Sequence, residues 1–165
     1  MLEKPGPISR DDLTDGFDSG NPVLDNWLAR EAFRNEEAGA SRTYVVRDAG
    51  RIVAYYSLAT GGVERSGAPG GIRRNMPDPI PVMILARLAV ARSHQGQGIG
   101  RALVRDALLR TVRASEIAGI RAVTVHAIDE QAAAFYRRLG FRPSPIDDLV
   151  YFARPESVLA SIDRG

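Results

Sequence analysis

The amino-acid sequence predicts an α/β layered domain built on a mixed β-sheet. Two apolar runs of strand length, residues 82–90 and 122–127, alternate with amphipathic segments of helical periodicity. Glycine and proline are concentrated in the connections between these segments. The 165 residues, 44% of them hydrophobic, are enough to bury one core, so we expect residues 1–165 to form a single domain.

The first half of the chain predicts one helix, a β-hairpin and a loop. Asn21-Pro22 is typical of a helix start, and Gly39 is expected to end that helix. Two β-rich runs follow, at residues 43–46 and 52–58, and the Asp-Ala-Gly between them predicts a tight turn. Residues 61–81 are dense in glycine and proline and predict a long irregular loop, which either contacts substrate or is a surface loop without a role.

Strands and helices alternate in the second half. They are expected at residues 82–90 (strand), 100–118 (helix), 122–127 (strand), 129–139 (helix), 141–142 (strand) and 149–152 (strand). Gly140 is expected to cap the second of these helices. The order is that of a layered α/β domain.

Composition excludes several classes of function. Without cysteine the chain has no disulfide, no thiolate nucleophile and no Cys-ligated metal, and we expect no metal site. No apolar stretch approaches the roughly 20 residues of a membrane span, so we expect a cytoplasmic protein with no membrane partner. All of the 22 basic residues except Lys4 are arginine, and they are concentrated in the middle and C-terminal parts of the chain. Either a phosphate-rich ligand or a coding bias towards arginine explains this.

A glycine-rich loop between a predicted strand and helix is the strongest local signal. In Gln95–Gly100 the glycines let the backbone approach a ligand closely, and the free N–H groups of the following helix favour an anion such as pyrophosphate. Arg92 or Arg101 is available to neutralise its charge. Alone, the pattern also fits a simple connecting turn. A Walker loop is excluded because Arg101-Ala102 follows the last glycine, and the alternating glycines do not match a Rossmann fingerprint.

Two motifs carry a family resemblance. Residues 85–103, which read LARLAV, a short turn and QGQGIGRAL, resemble the Gln/Arg-x-x-Gly-x-Gly/Ala signature of the GNAT N-acetyltransferases. Residues 132–141, AAAFYRRLGF, are similar to that family's Ala-x-x-Phe-Tyr-x-x-x-Gly-Phe block. The resemblance implies acetyl-CoA as co-substrate and the GNAT fold, a mixed twisted sheet with helices on both faces and a splay between central strands that holds acetyl-CoA.

Further segments resemble one branch of that family, the tRNA-acetylating toxins of bacterial type II toxin–antitoxin pairs. They are residues 17–20, 24–28, 55–58, 74–77, 80–82 and 140–145. The branch implies the α-amine of aminoacyl-tRNA as acceptor, a ribbon-helix-helix antitoxin as partner and a homodimer. Two positions depart from the expected pattern, since Ala91 stands in place of Asp and Asp129 in place of the Asn frequent in the wider family.

The same resemblance implies individual site residues. Tyr136 is expected to be catalytic. Cofactor contacts are expected from Leu88, Ala89, Val90, Gln95, Gly96, Gln97, Gly98, Ile99, Gly100, Arg101, Asp129 and Phe135. Contacts with substrate RNA are expected, from charge alone, at Arg73, Arg74, Arg137 and Arg138.

Acetylation of an amine requires an oxyanion site, loss of a proton from the amine and a proton for the leaving thiolate. The resemblance implies main-chain N–H groups near Leu88 and Val90 for the thioester carbonyl. A Tyr with a pKa of about 10 is a weaker acid than a thiol near 8.5, by about 2 kcal/mol, so Tyr136 is expected to donate a hydrogen bond and relay a proton. Alternatively, Tyr136 only packs its ring, although Phe135 is the better core candidate.

No general base is evident in the sequence. His94 is expected at the edge of the glycine-rich loop and His126 in a strand, and a lone histidine is more often structural. An α-amine titrates near 8, well below a lysine at about 10.4, and therefore suits a site without a base.

Three functions stay open on the sequence alone. The chain acetylates charged tRNA, or it acetylates a small amine, a protein N-terminus or a lysine, or it binds CoA as a regulatory module without turnover. An intact Tyr136 argues against the third.

Overall fold

The computed structural model describes residues 1–165 and contains a mixed seven-stranded sheet with the strand order β1-β2-β3-β4-β5-β7-β6. Its strands are β1 Gly6–Pro7, β2 Arg42–Asp48, β3 Arg51–Val63, β4 Ile80–Val90, β5 Ala122–His126, β6 Arg142–Pro143 and β7 Val150–Ala153. β4 and β5 pair in parallel, whereas the pairs β1–β2, β2–β3, β5–β7 and β6–β7 are antiparallel. The predicted α/β class with a mixed sheet is confirmed.

Six α-helices connect and flank the strands. They are α1 Pro22–Trp27, α2 Phe33–Ala38, α3 Gly70–Arg73, α4 Ile99–Ser115, α5 Glu130–Leu139 and α6 Pro155–Arg164. A π-helical turn, Leu28–Ala32, joins α1 to α2, so the single helix predicted between Asn21 and Gly39 has an irregular middle. No helix has both the length and the apolar character needed to cross a membrane.

The chain packs into two compact units, which are residues 1–59 with 86–106 and residues 60–85 with 107–165. In the first, the buried ring of Phe17 meets Tyr55 edge-on at 5.7 Å between centroids. The buried hydroxyls of Thr43 and Ser57 satisfy each other at 2.7 Å across the β2–β3 pair. In the second, an apolar cluster includes Ile80 and Phe152.

Local sequence signals explain where the first elements begin and end. The Asn21 side chain accepts hydrogen bonds from the N–H groups of Val23 and Leu24, which caps α1. Gly39 ends α2 in the left-handed conformation at φ 76°, as predicted. Ala49 and Gly50 turn the β2–β3 hairpin with φ values of 51° and 81°.

The long loop predicted at residues 61–81 is largely wrong. β3 continues to Val63, a 3-10 turn covers Arg65–Gly67, and α3 follows before β4 begins at Ile80. A Cβ on Gly61 would lie 2.6 Å from Ile84 Cδ1, so glycine lets the end of the Ile84 side chain pack against the backbone of this strand. The terminal elements β1 and α6 were not predicted.

Candidate active site

The glycine-rich loop is fixed in place by its first residue. The Gln95 side-chain amide donates to the carbonyl oxygens of Ser19 at 2.9 Å and Val90 at 2.8 Å. These bonds attach the loop to the end of β4 and to the segment before α1. Gln95 was predicted to bind the cofactor, and that stays a prediction; its amide nitrogen is bonded to protein and holds the backbone of the loop.

The backbone of this loop presents a row of free donors. Gly96 and Gly98 adopt left-handed φ values of 77° and 83°, and an added Cβ at either position would meet no atom within 4 Å. Ala102 N–H closes the first helical bond to the Gly98 carbonyl at 3.1 Å, whereas the N–H groups of residues 96–100 donate to no acceptor in the protein. Exposed N–H groups at the start of a 17-residue helix suit a phosphate group.

Not every residue of the loop is directed at a ligand. Ile99 is 8% exposed, and its side chain anchors α4 in the core. Arg92, just before the loop, pairs with Asp18 at 3.2 Å between two exposed side chains. The backbone N–H groups of the glycines and Gln97 are thus the groups that can contact a pyrophosphate, and the Arg101 side chain is exposed at the start of α4.

The C-terminal part of β4 has an unpaired edge. Parallel pairing with β5 covers only Val82–Leu85, opposite Ala122–Val125, although β4 itself runs to Val90. From residue 86 onward the edge that faced β5 carries no strand partner. This is the splay that the family resemblance implied. Backbone groups of successive strand residues face opposite edges, and the Ala91 N–H bonds Val53 on β3, so Leu88 and Val90 face the open edge and Ala89 faces β3. The Val90 carbonyl already accepts from Gln95, which leaves the N–H groups of Leu88 and Val90 for an amide-containing ligand such as pantetheine.

Tyr136 lies in α5 with its ring buried and its hydroxyl unbonded. The residue is 5% exposed, and its ring lies 5.1 Å from Phe135 and 5.3 Å from Phe141 between centroids. Burial raises the pKa of Tyr136, so the hydroxyl keeps its proton at neutral pH. That hydroxyl has no hydrogen-bond partner in the protein, and its oxygen is not among the fully buried oxygens that lack a partner, so solvent or a ligand can reach it. A buried, protonated phenol without a partner can donate to a ligand.

One prediction about α5 needs correction, and another of its predicted site residues also has a structural role. Phe135 was expected to be the better core residue, but it is only half-buried, whereas Tyr136 lies on the buried stripe with Ala133 and Leu139. The spacing of three residues places these side chains on one face of the helix. Asp129 caps α5, since its Oδ1 accepts from the N–H of Ala132 at 2.8 Å. That bond explains an acidic residue at this position without any contact to a cofactor.

One of the two histidines is engaged, and the other is exposed. His94 ends a short 3-10 helix, and both its ring nitrogens have partners, Ser93 Oγ at 2.7 Å and Asp48 Oδ2 at 2.9 Å. It lines a cavity of about 460 Å³ together with Phe17 and Ala91. His126 is the exposed last residue of β5.

Ala91, which stands where the family pattern has Asp, is buried. Its N–H donates to the Val53 carbonyl at 2.8 Å, so this residue helps to hold the end of β4 against β3.

The four arginines predicted to contact RNA differ in their availability. Arg73 and Arg74 are exposed at the end of α3, and Arg138 is exposed on α5. Arg137 is engaged, because its guanidinium donates to Glu130 Oε1 at 2.5 Å and to the Tyr151 hydroxyl at 2.7 Å.

No group of three or more His, Cys, Asp or Glu side chains is arranged to bind a metal ion.

Sequence reasoning missed an aromatic and cationic stack in the first unit. Arg87 lies with its guanidinium carbon 4.9 Å from the centre of the Trp27 ring, and Trp27 stacks on Tyr55 at 6.0 Å and an interplanar angle of 9°. Two signals were present in the sequence, since Trp27 is the only tryptophan and Arg87 is the only charged residue of β4.

The family model for the acetyltransferase (GNAT) domain matches residues 39–143, more than half of the chain. This chain belongs to the GNAT acetyltransferase family. The predicted enzyme class, an acetyl-CoA-dependent N-acetyltransferase, is confirmed. The free N–H groups of the loop and the open edge of β4 fit the pyrophosphate and the pantetheine of acetyl-CoA.

Known relatives place the chain within the family. A curated tRNA-acetylating toxin from Mycobacterium tuberculosis is 48% identical over 145 residues, which cover 88% of this chain and 87% of the relative. AtaT complexed with acetyl-methionyl-tRNAfMet matches with a TM-score of 0.87 and 29% identity, covering 96% of this chain and 97% of that one. A tyrosine-to-phenylalanine mutant of AtaT bound to the C-terminus of the antitoxin AtaR and acetyl-CoA matches with a TM-score of 0.81 and 27% identity, covering 96% of each chain.

These findings confirm the resemblance that the sequence motifs carried, both to the GNAT family and to the tRNA-acetylating toxins. The roles of the individual site residues stay predictions.

Proposed function

We propose that this protein transfers the acetyl group of acetyl-CoA to the α-amine of an aminoacyl-tRNA and so blocks translation as the toxin of a toxin–antitoxin pair. The acetyl-transfer half of the proposal is carried by the loop 96–100, whose free N–H groups lie at the start of α4. The acceptor half is carried by the 48% identity, over most of both chains, to a tRNA-acetylating toxin.

The loop, the edge of β4 and Tyr136 have separate roles in the reaction. Acetyl-CoA supplies an activated acetyl group as a thioester. Backbone N–H groups of the loop hold its pyrophosphate, and the unpaired edge of β4 near Leu88 and Val90 receives the pantetheine and the thioester carbonyl. The Tyr136 hydroxyl donates a hydrogen bond towards the sulfur as negative charge develops there.

The raised pKa of Tyr136 limits how that proton moves. Since burial makes the phenol a weaker acid than an ordinary tyrosine, full donation to a thiolate is more than about 2 kcal/mol uphill. Transfer is therefore coupled to the attack of the neutral amine. The ammonium of the tetrahedral intermediate returns a proton to Tyr136 as the thiolate leaves, so that Tyr136 ends the reaction protonated as it began.

The engagement of His94, the histidine beside the glycine-rich loop, fits an acceptor that needs no histidine base. Both nitrogens of His94 are bonded, and His126 is exposed at the end of a strand. An α-amine titrates near 8 and is partly neutral at physiological pH, whereas a lysine near 10.4 is almost wholly charged. The site is accordingly better matched to an aminoacyl ester than to a lysine side chain.

Partners and location follow from the same proposal. The protein acts as a homodimer in the cytoplasm, where charged tRNA is found, and is neutralised by a ribbon-helix-helix antitoxin. Residues 1–165 act as one catalytic domain, since the match to the family model draws on residues of both compact units. Exposed arginines, above all Arg73, Arg74 and Arg138, contribute to RNA binding.

The test supplies labelled acetyl-CoA together with aminoacylated total tRNA, deacylated tRNA and free amines. We expect label in acid-precipitable RNA only when the tRNA is charged, and loss of that label with Tyr136→Phe. Label confined to small amines or to protein would reject the tRNA acceptor while keeping the acetyltransferase. No label in any acceptor would reject turnover altogether.

A further inference from the structure

Arg87 is a charged residue in an otherwise apolar strand. β4 reads IPVMILARLAV, and the Arg87 side chain is half-buried. Removing a guanidinium from water costs free energy unless a partner replaces the lost hydration. The position therefore calls for a partner of opposite charge.

The protein fixes this guanidinium without neutralising it. One face lies on the indole of Trp27, 4.9 Å from the ring centre. Trp27 is itself stacked on Tyr55, whose hydroxyl donates to the Leu24 carbonyl at 2.7 Å and so ties the stack to α1. A cation held over tryptophan is attracted to the face of the ring and loses much of its rotational freedom.

The hydrogen-bonding edge of Arg87 is mostly unused. Its Nη1 donates to the Ala86 carbonyl at 3.0 Å, and no carboxylate lies within ion-pairing distance. The remaining N–H groups of the guanidinium are free to bind an anion. A planar, pre-oriented guanidinium with free donors matches the two-oxygen geometry of a phosphate better than any other side chain does.

The position of Arg87 identifies which phosphate it would meet. Arg87 directly precedes Leu88, at the unpaired edge where the thioester carbonyl is proposed to bind, and successive side chains of a strand point to opposite faces. In an aminoacyl-tRNA the phosphate of the terminal nucleotide lies one ribose away from the reacting α-amine. We propose that Arg87 binds this terminal phosphate and positions the aminoacyl ester, an inference that rests on the proposed function.

The test compares substrates with and without that phosphate. Arg87→Gln and Arg87→Lys are measured with aminoacyl-tRNA and with a 3′-aminoacyl-adenosine that lacks a 5′-phosphate. The matched control is Arg51→Gln, which removes an exposed arginine at the start of β3. Trp27 is the only tryptophan, so the intrinsic fluorescence of the protein reports ligand binding beside Arg87. The probe for this measurement is an oligonucleotide that ends in CCA and carries no amino acid.

We expect Arg87→Gln to raise the KM for aminoacyl-tRNA at least 10-fold and to change the KM for aminoacyl-adenosine less than threefold. The dependence of log affinity on log salt should fall by about 0.7, the value for one phosphate of a single strand. The KM of Arg87→Lys for aminoacyl-tRNA should lie between those of wild type and Arg87→Gln, because lysine keeps the charge but lacks the planar guanidinium. Wild-type Trp27 fluorescence should respond to the oligonucleotide, and that response should be lost in Arg87→Gln.

Equal losses on both substrates, or losses no larger than those of Arg51→Gln, would overturn the inference and leave Arg87 as a packing residue. If Arg87→Gln is destabilised, its Tm will be lowered. In that case the KM values of Arg87→Lys on the two substrates decide whether Arg87 contacts the phosphate. The two proposals fail separately. If wild type transfers no acetyl group to charged tRNA, the proposed function is wrong, whereas the fluorescence response to the oligonucleotide tests the phosphate contact without turnover.

Discussion

Substituting Gly98 tests whether the loop binds CoA through its backbone. Gly98 has a φ of 83°, and a Cβ there would meet no atom within 4 Å, so Gly98→Ala changes the backbone energy and not the packing. Gly39, the left-handed cap of α2, provides a matched control, with a φ of 76° and equally open surroundings. An L-residue in this conformation costs about 1–2 kcal/mol, part of which is offset by lower entropy of the unfolded chain.

Both variants should therefore lose about 1 kcal/mol of unfolding free energy, which lowers the Tm by roughly 2–4 °C in a chain of this size. Only Gly98→Ala should weaken CoA binding. Misaligning one charge-assisted hydrogen bond to the pyrophosphate costs about 1.5–3 kcal/mol, or roughly 10- to 100-fold in Kd. The assays are thermal unfolding without ligand and calorimetric titration with CoA. Equal Kd values for Gly98→Ala and Gly39→Ala would refute the assignment of the loop.

Three further predictions concern the phenol, a buried hydroxyl pair and pH. Tyr136→Phe should keep the Tm and the KM for acetyl-CoA but lower kcat by about 10²–10⁴-fold in steady-state assays, since the hydroxyl makes no bond within the protein. Ser57→Ala should cost about 1–3 kcal/mol in denaturant unfolding because it leaves the buried Thr43 hydroxyl without its partner. Burial acts to raise the pKa of Asp12, but hydrogen bonds from Arg47 and from a backbone N–H hold that pKa below its ordinary value. The stability that this carboxylate contributes is full above the unfolded pKa of about 3.9 and is lost as pH falls through the folded value, so unfolding of Asp12→Asn should depend less on pH below about 4.

Elements with strong local signals could be predicted from the sequence. The Asn21 cap, the Ala49-Gly50 turn and the apolar strand β4 each depend on chemistry contained within a few residues. The last helix was missed although it carried comparable signals, a proline at its first turn and buried Val158 and Ile162 four residues apart. The signals that predict this helix are therefore present in the sequence.

Other features depend on contacts between distant parts of the chain. Gly61 is typical of a break in regular structure, yet it lies within β3, where the end of the Ile84 side chain packs against it. Gln95 reads as a ligand contact, yet its amide bonds the carbonyl of Ser19, 76 residues earlier. The stack of Arg87 on Trp27 likewise joins residues far apart in sequence, and only the folded chain reveals it.

The site itself was predicted in outline and corrected in detail. Helical periodicity alone would have placed Tyr136 on the buried stripe with Ala133, ahead of Phe135. The splay of β4 came from the family resemblance, and the strand pairing that ends at Leu85 confirms it. Asp129, by contrast, is accounted for as a helix cap.

The central claim is that the α-amine of an aminoacyl-tRNA accepts the acetyl group. The most direct measurement incubates wild-type protein and Tyr136→Phe with acetyl-CoA and fully aminoacylated total tRNA, digests the RNA with nuclease, and analyses the released aminoacyl-adenosines by mass spectrometry. The account predicts that wild type adds one acetyl group to the amino-acid nitrogen of one or more aminoacyl-adenosines, and that Tyr136→Phe adds almost none. Aminoacyl-adenosines that all remain unmodified, while acetyl-CoA is consumed on another amine, would contradict it.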